Sequence, residues 1–227
     1  MDWLLLECGV GDAAFNMAMD EALLLSMRRL RGPVLRFYSW TEKAASFGYF
    51  QKYSDAEKLT HLRPLVRRPT GGGFVPHDAD WTYSMVFPAS HVWYALRATE
   101  SYRKIHEWLQ AAFSDVAVKT ELAPAARRAG TGQCFAGYEK SDLLWQGIKI
   151  AGAAQRRTRD GLLIQGSVQP GLLIVNRSDW QKAMSTVAAQ FIGGQEESFR
   201  PDDPTLRTLA DELARDKYSV SRYNRKR

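Results

Sequence analysis

Three short stretches of this chain carry residue types that do chemistry. In "RRPTGGGFVPHD" (67–78), Arg67 and Arg68 precede Gly71, Gly72 and Gly73, and His77 and Asp78 follow. The glycines lack the Gly-Lys-Ser/Thr of a phosphate-binding loop and the G-x-G-x-x-G spacing of a dinucleotide fingerprint. They make either a tight turn or a bare-backbone wall whose N–H groups face anionic oxygens, an anion or acyl-group pocket. His77 is a general base or a structural hydrogen-bonder, and Asp78 orients it or fixes the turn. Cys134 sits in the polar, glycine-rich "GTGQCFAGYEKSD" (130–142). Such a cysteine is a small buried hydrophobe or a nucleophile. The nucleophile is the thiolate, and an unperturbed thiol is only ~3% ionised at pH 7, so the pKa must fall by ~2 units. A neighbouring ammonium supplies part of that shift, and Lys149, between Ile148 and Ile150, is the candidate. On an alternating strand the isoleucines face one way and the lysine the other, toward solvent or toward a site wall. Cys8, in the apolar "WLLLEC", is assigned to the core.

These residues need elements to position them. "FNMAMDEALLLSMRRL" (15–30) has helical apolar spacing with Gly32-Pro33 as its stop. "VLRFYSW" (34–40) and "AASFGYFQ" (44–51) read as strands, and "SDAE" (54–57) fits a capping box opening a helix that runs to about Leu62. "LVRRP" is a strand running into the glycines, "DWTYSMVF" (80–87) is another, and "ESYRKIHEWLQAAF" (100–113) is a helix with Ile105, Trp108, Leu109 and Ala112 on one face. The Ala/Gly/Pro-rich segment 122–133 reads as a loop. Residues 142–168 give three apolar runs broken at Gln146-Gly147 and Asp160-Gly161. Asp-Gly suits a two-residue hairpin turn with positive φ at both positions, so this is a β-meander carrying Lys149. From Ser178 onward the chain reads as helical, with 205–218 amphipathic. Strands and helices without strict alternation predict an α+β fold with a mixed, largely antiparallel sheet flanked by helices.

The chain has 227 residues, 45% of them hydrophobic, enough for a single catalytic domain over 1–227. No apolar run reaches the length of a membrane span, and the acidic, short apolar start does not fit a signal peptide, so a cytoplasmic protein with free thiols is expected. The net charge of +6 favours acidic partners, and the scattered arginine pairs carry no nucleic-acid-binding signature. His and Cys are too scattered to suggest a metal site. A monomer is expected.

"FNMAMDEALL", "VLRFYSW", "FGYFQ", "RRPTGGGFVPHD" followed by "TYS", and "GIKIAGAAQRR" together resemble the biotin/lipoate protein ligase superfamily, in its lipoate branch. They occur in the family's order from about residue 15 to 168. The resemblance implies a substrate wall of Arg67, Arg68, Thr70, Gly71, Gly72, Gly73, His77, Asp78 and Gly152, with Lys149 catalytic. Two activities share this fold: ATP- and magnesium-dependent lipoate–protein ligation, and octanoyl transfer from acyl carrier protein to a lipoyl-domain lysine without a cofactor. Ligases usually carry an accessory C-terminal domain, whereas this chain ends about sixty residues after the meander. Ligases also tend to show Arg-Asn-Asp where this chain has Lys140-Ser141-Asp142. The position of Cys134, fifteen residues before Lys149, is similar to that of the nucleophile in cysteine-dependent octanoyltransferases. The resemblance therefore implies an octanoyltransferase with Cys134 and Lys149 as its catalytic pair, the ligase being the alternative.

Overall fold

The computed structural model describes residues 1–127, 135, 137–171, 173–198 and 203–226; Cys134 lies outside the described residues, as does the second half, 128–133, of the predicted loop at 122–133. Eleven described strands are β1 (Trp3–Gly11), β2 (Val34–Trp40), β3 (Ala44–Phe47), β4 (Leu65–Arg67), β5 (Val75–His77), β6 (Trp81–Pro88), β7 (Glu121–Leu122), β8 (Leu143–Trp145), β9 (Ile148–Thr158), β10 (Gly161–Val168) and β11 (Glu196–Ser198). Eight of them form one sheet in the order β11-β1-β2-β6-β10-β9-β8-β7, and β4-β3-β5 form a second, smaller sheet. In the large sheet β1 pairs in parallel with β11 and β2, and every other pairing is antiparallel. The mixed, largely antiparallel α+β architecture is the one expected from the sequence.

The large sheet is covered on both faces, which is why its central strand has no solvent-facing side. Along β6, Trp81, Tyr83, Met85 and Phe87 pack into one core and the intervening Val86 into another, the period-2 alternation of a strand buried on both sides. The helices covering the sheet are, in chain order, α1 (Ala13–Leu25), α2 (Met27–Leu30), α3 (Tyr53–Glu57), α4 (Val92–Ala95), α5 (Ala98–Asp115), α6 (Arg177–Thr186), α7 (Ala188–Ile192), α8 (Pro204–Leu213) and α9 (Ser221–Asn224), with a π-helical turn at Ala214–Tyr218. Ile105, Trp108, Leu109 and Ala112 of α5 are fully buried against the first core, as predicted. Met19, Ala22 and Leu23 of α1 meet Leu206 and Ala210 of α8 over the second.

Local readings differ from the outcome where tertiary contacts decide. The predicted 15–30 helix is two pieces: α1 ends at Leu25, and α2 stops at Arg31 in a left-handed conformation, one residue before Gly32. The capping box at Ser54 does not form. The helix opens at Tyr53 behind Lys52, which makes no side-chain cap, because the Gly48–Gln51 turn delivers the chain two residues early. That turn also ends β3 at Phe47 rather than at residue 51. In the meander the β9–β10 loop is Arg159–Asp160, since Thr158 pairs with Gly161, and neither Asp160 nor Gly161 has positive φ. Gly161 is instead pressed against β6, where a Cβ would fall 2.2 Å from the Phe87 carbonyl oxygen. The positive-φ hairpin is Gln146-Gly147, at φ 51° and 75°.

Candidate functional site

A narrow cleft of about 40 Å³ opens between the two sheets, with Ser46, Arg68, Gly72 and His77 on the small-sheet side and Gly152, Ala154, Gln165 and Ser167 on the large-sheet side. One wall is the glycine turn. The buried Arg68 guanidinium organises it by donating to the carbonyls of Gly71 at 2.7 Å and Gly73 at 2.6 Å, and to Ser46 Oγ at 3.2 Å. A charged donor satisfying the loop's carbonyls from inside fixes their direction, which leaves the turn preformed. Gly72, at φ 82°, also leaves no room for a Cβ, which would meet Arg68 Nη2 at 2.9 Å. Thr70 is buried behind the turn and donates to Gln165 Oε1 at 2.7 Å, tying the turn to β10.

Below the cleft lies a satisfied polar network. Asp20 of α1 receives Arg36 at 2.6 Å, Ser84 at 2.7 Å, Gln165 at 2.7 Å and Tyr38 at 3.1 Å. Burial works most strongly against the charged form of Arg36, but Asp20, Cys8 and Tyr38 together outweigh it and leave the guanidinium above its ordinary value. Burial first, and then Asp20, hold the Tyr38 hydroxyl well above its usual value, so it stays a donor.

At the cleft's edge stands Lys149. Its ammonium lies 2.7 Å from Asp142 Oδ2, with both side chains buried. Asp142 is itself held by the Glu139 N–H at 2.7 Å and by the Tyr102 hydroxyl. The simple alternation expected around Lys149 is broken. Leu143 pairs with Ala151 but Leu144 with Lys149, so Ile150 is an extra, unpaired residue on β9. A bulge re-aims the side chains beside it, and the two isoleucines end in different settings, Ile148 at 66% exposure and Ile150 at 3%. Lys149 thus belongs to a site wall, not to a solvent face. Its ammonium reaches over Gly152, where a Cβ would be 2.9 Å from Nζ, and also lies 5.1 Å from the ring centroid of Phe135. His106 completes the setting: burial lowers its pKa to about 4, so it is neutral at pH 7 and donates from Nδ1 to the Tyr102 carbonyl at 2.8 Å.

The predicted site residues therefore divide. Arg68, Gly72, His77 and Gly152 line the cleft, Lys149 reaches over Gly152 at its edge, and Thr70, Gly71 and Gly73 shape its wall. Arg67 does not line it. Its guanidinium is fully buried, donating to the carbonyls of Tyr49 and Gln51 at 2.7 Å and of Asn224 at 2.9 Å. His77 has both ring nitrogens occupied, by Ser46 Oγ and Asp80 Oδ2 at 2.8 Å each, and stacks on Trp40 at 3.9 Å. It is a structural hydrogen-bonder. Its orienting carboxylate is Asp80, also held by Ser167 at 2.7 Å, whereas Asp78 is exposed. Cys8 is half-buried and accepts from Arg36 Nε at 3.2 Å. Sequence reading missed Asp142 and Asp80. Both follow from register: a two-residue turn at Gln146-Gly147 brings position 142 level with the start of the AG-x-AQ segment, and His77 and Asp80 flank one tight connection.

A buried lysine–aspartate pair facing an arginine-organised glycine turn, on a two-sheet α+β scaffold, defines a class of catalytic domain. The model of the lipoyl protein ligase A/B catalytic domain matches residues 12–187, and the chain belongs to that family. Among its relatives are octanoyltransferases LipM of Staphylococcus aureus, 36% identical over 179 residues (73% of this chain, 65% of the relative), and of Carboxydothermus hydrogenoformans, 39% identical over 163 residues (68% and 60%). The chain thus spans about 65% of the length of the first of these relatives. The fold is also that of a lipoate-protein ligase A bound with ATP, at a TM-score of 0.79 and 22% identity over 99% of this chain and 98% of that one. A bipartite lipoate protein ligase from Thermoplasma acidophilum, solved with its E2 lipoyl domain, matches at a TM-score of 0.72 and 22% identity over 98% and 95%. No described helix is long and apolar enough to cross a membrane.

Proposed function

We propose that the chain moves an octanoyl group from acyl carrier protein to a lysine of a lipoyl-domain protein through an acyl-enzyme on Cys134. The supporting observation is the Lys149 ammonium. It is buried, paired with Asp142 and held over the bare backbone at Gly152 at the cleft's edge, beside Phe135, the residue that follows Cys134 in the sequence. The names of the relatives agree with this reading.

In the first step the Cys134 thiolate attacks the donor thioester carbonyl. A new S–C bond forms, the carbonyl oxygen becomes an oxyanion, and its collapse expels the carrier's thiolate, which takes up a proton. In the second step the acceptor's neutral ε-amine attacks the enzyme thioester, an amide forms, the amine's proton is released and the Cys134 thiolate returns. Lys149 stabilises both the thiolate and the oxyanion, and Asp142 holds it in place. A thioester is already activated, so this route consumes no nucleotide and uses no cofactor.

Incubation with octanoyl–acyl carrier protein, read by intact mass, is expected to give a single octanoyl adduct on the wild type and none on Cys134→Ala. If lipoate, ATP and magnesium instead modify a lipoyl domain at a rate that Cys134→Ala leaves intact, the protein is a ligase and the covalent route is wrong. Turnover in neither assay, with acyl ligand still raising the Tm, would mark a binding protein.

A further inference from the structure

The C-terminal segment builds a basic surface onto the rim of the cleft. Its anchor is Asn224 of α9, whose Oδ1 accepts from the Arg67 backbone N–H at 2.8 Å while its carbonyl accepts from the Arg67 guanidinium at 2.9 Å. The same guanidinium holds the Tyr49 and Gln51 carbonyls, and the Tyr49 N–H donates to the Thr70 carbonyl at 2.8 Å. Gly48 is packed so closely on the glycine turn that a Cβ there would fall 2.0 Å from the Gly72 carbonyl oxygen. Loop 48–51 and the terminal helix are therefore one rigid extension of the cleft wall.

On that extension cations lie over tyrosine rings. Lys226 is 4.1 Å from the centroid of Tyr49 and 4.4 Å from that of Tyr223, Lys217 is 4.9 Å from Tyr223, Arg225 is 4.0 Å from Tyr53, and Arg156 is 5.7 Å from Tyr49. Among the described residues, two carboxylates answer these four cations: Glu21 takes Lys217 and Arg156, and Glu57 takes Arg225. The surface stays net positive, and Lys226 and Arg225 are exposed. Cations ordered by aromatic rings lose less side-chain freedom when a partner binds.

Distance decides which partner fits. The Lys149 ammonium lies over Gly152, and Arg156 stands four residues further along β9, roughly 13 Å at the rise of a strand. A protein seated here cannot span that distance with a lysine side chain alone, which is only four methylenes long. A carrier that presents its acyl thioester on a long flexible arm can. We propose that Arg225, Lys226, Lys217 and Arg156, on their tyrosine floor, are the docking surface for the acidic acyl carrier that delivers the octanoyl group; this rests on the octanoyltransferase reading. The acceptor docks elsewhere, on the Lys149 side.

The test compares the wild type with an Arg225→Gln/Lys226→Glu double variant on two donors, octanoyl–acyl carrier protein and octanoyl–coenzyme A, the latter carrying the arm without the acidic protein. With the carrier donor, kcat/KM for acyl-enzyme formation is expected to fall by ~10-fold at low salt, chiefly in KM, and the gap to close as salt rises. With the coenzyme A donor it is expected to stay within about 2-fold of wild type. Unchanged carrier kinetics, or equal losses on both donors, would overturn the proposal. So would a variant that forms the acyl-enzyme normally but slows transfer to a lipoyl domain, which would make this the acceptor's surface. Binding of fluorescent octanoyl–carrier to the Cys134→Ala protein reads docking without turnover. Charge-sensitive binding there, with no adduct on the wild type, would keep the docking surface and sink the covalent chemistry alone.

Discussion

Gly152 shows how one atom's absence places a functional group. The ammonium of Lys149 occupies the space that a side chain on residue 152 would fill, 2.8 Å from Cε and 2.9 Å from Nζ. What a Cβ would displace is the tip of a flexible side chain, not backbone, so Gly152→Ala is expected to fold with a Tm near that of the wild type. Lys149, however, has to move off its position against Asp142. A donor aimed at developing charge loses most of its effect when displaced by about an ångström, and the rate of acyl transfer is expected to fall by ~10²-fold with KM little changed. A Tm scan beside steady-state kinetics separates the two effects; a rate within twofold of wild type would show that the ammonium's position does not matter. At this scale the sequence was legible in part. Lys149 stood out as a lone charge between isoleucines, but its counter-ion did not, because the spacing between Asp142 and Lys149 acquires meaning only once the Gln146-Gly147 turn and the bulge at Ile150 are in place.

Helix α5 carries a titration built into the core. His106 is fully buried beside Tyr102 and Asp142, and burial lowers its pKa from 6.5 to about 4. The folded protein thus leaves this group neutral over a range where the unfolded chain protonates it. The stability that follows is fully present above pH 6.5, declines as pH falls through the window from 6.5 to 4, and is gone below it. Between pH 7 and pH 5 this one group is expected to account for about 2 kcal/mol of the loss. Urea unfolding of wild type and His106→Leu at both pH values checks it. The variant starts less stable, because its partner carbonyl is left without a donor, but it should lose about 2 kcal/mol less on acidification. Equal losses in the two proteins would show that His106 does not titrate. The helix itself was legible from its apolar spacing; the histidine's neutrality was not, since burial depends on what α5 packs against.

Across the whole molecule, Arg67 is the joint. It reads in sequence as half of a basic pair poised for an anion, yet its guanidinium is fully buried and spent on the Tyr49, Gln51 and Asn224 carbonyls. Arg67→Met keeps the volume and removes the donors, leaving three carbonyls unsatisfied, and is expected to cost about 2–4 kcal/mol in denaturant unfolding. The terminal segment should become the first site cut in limited proteolysis. If cleavage still begins elsewhere and stability is unchanged, α9 is held by other contacts, and the basic surface does not depend on this residue.

By itself the sequence determined the α+β class, the meander, the helix at 100–113 and the glycine turn, because apolar periodicity and turn chemistry act over a few neighbouring residues. The family likeness lay in those same stretches. Only the tertiary structure decided that Asp80 and not Asp78 holds His77, that Arg68 shapes the turn while Arg67 braces the far end of the chain, and that Asp142 is the partner of Lys149. Each depends on contacts made across strands or between segments remote in sequence, up to 157 residues apart for Arg67 and Asn224. A side chain's type shows what it can bond to; which groups come within reach is settled by register, a bulge and the packing of one sheet on another.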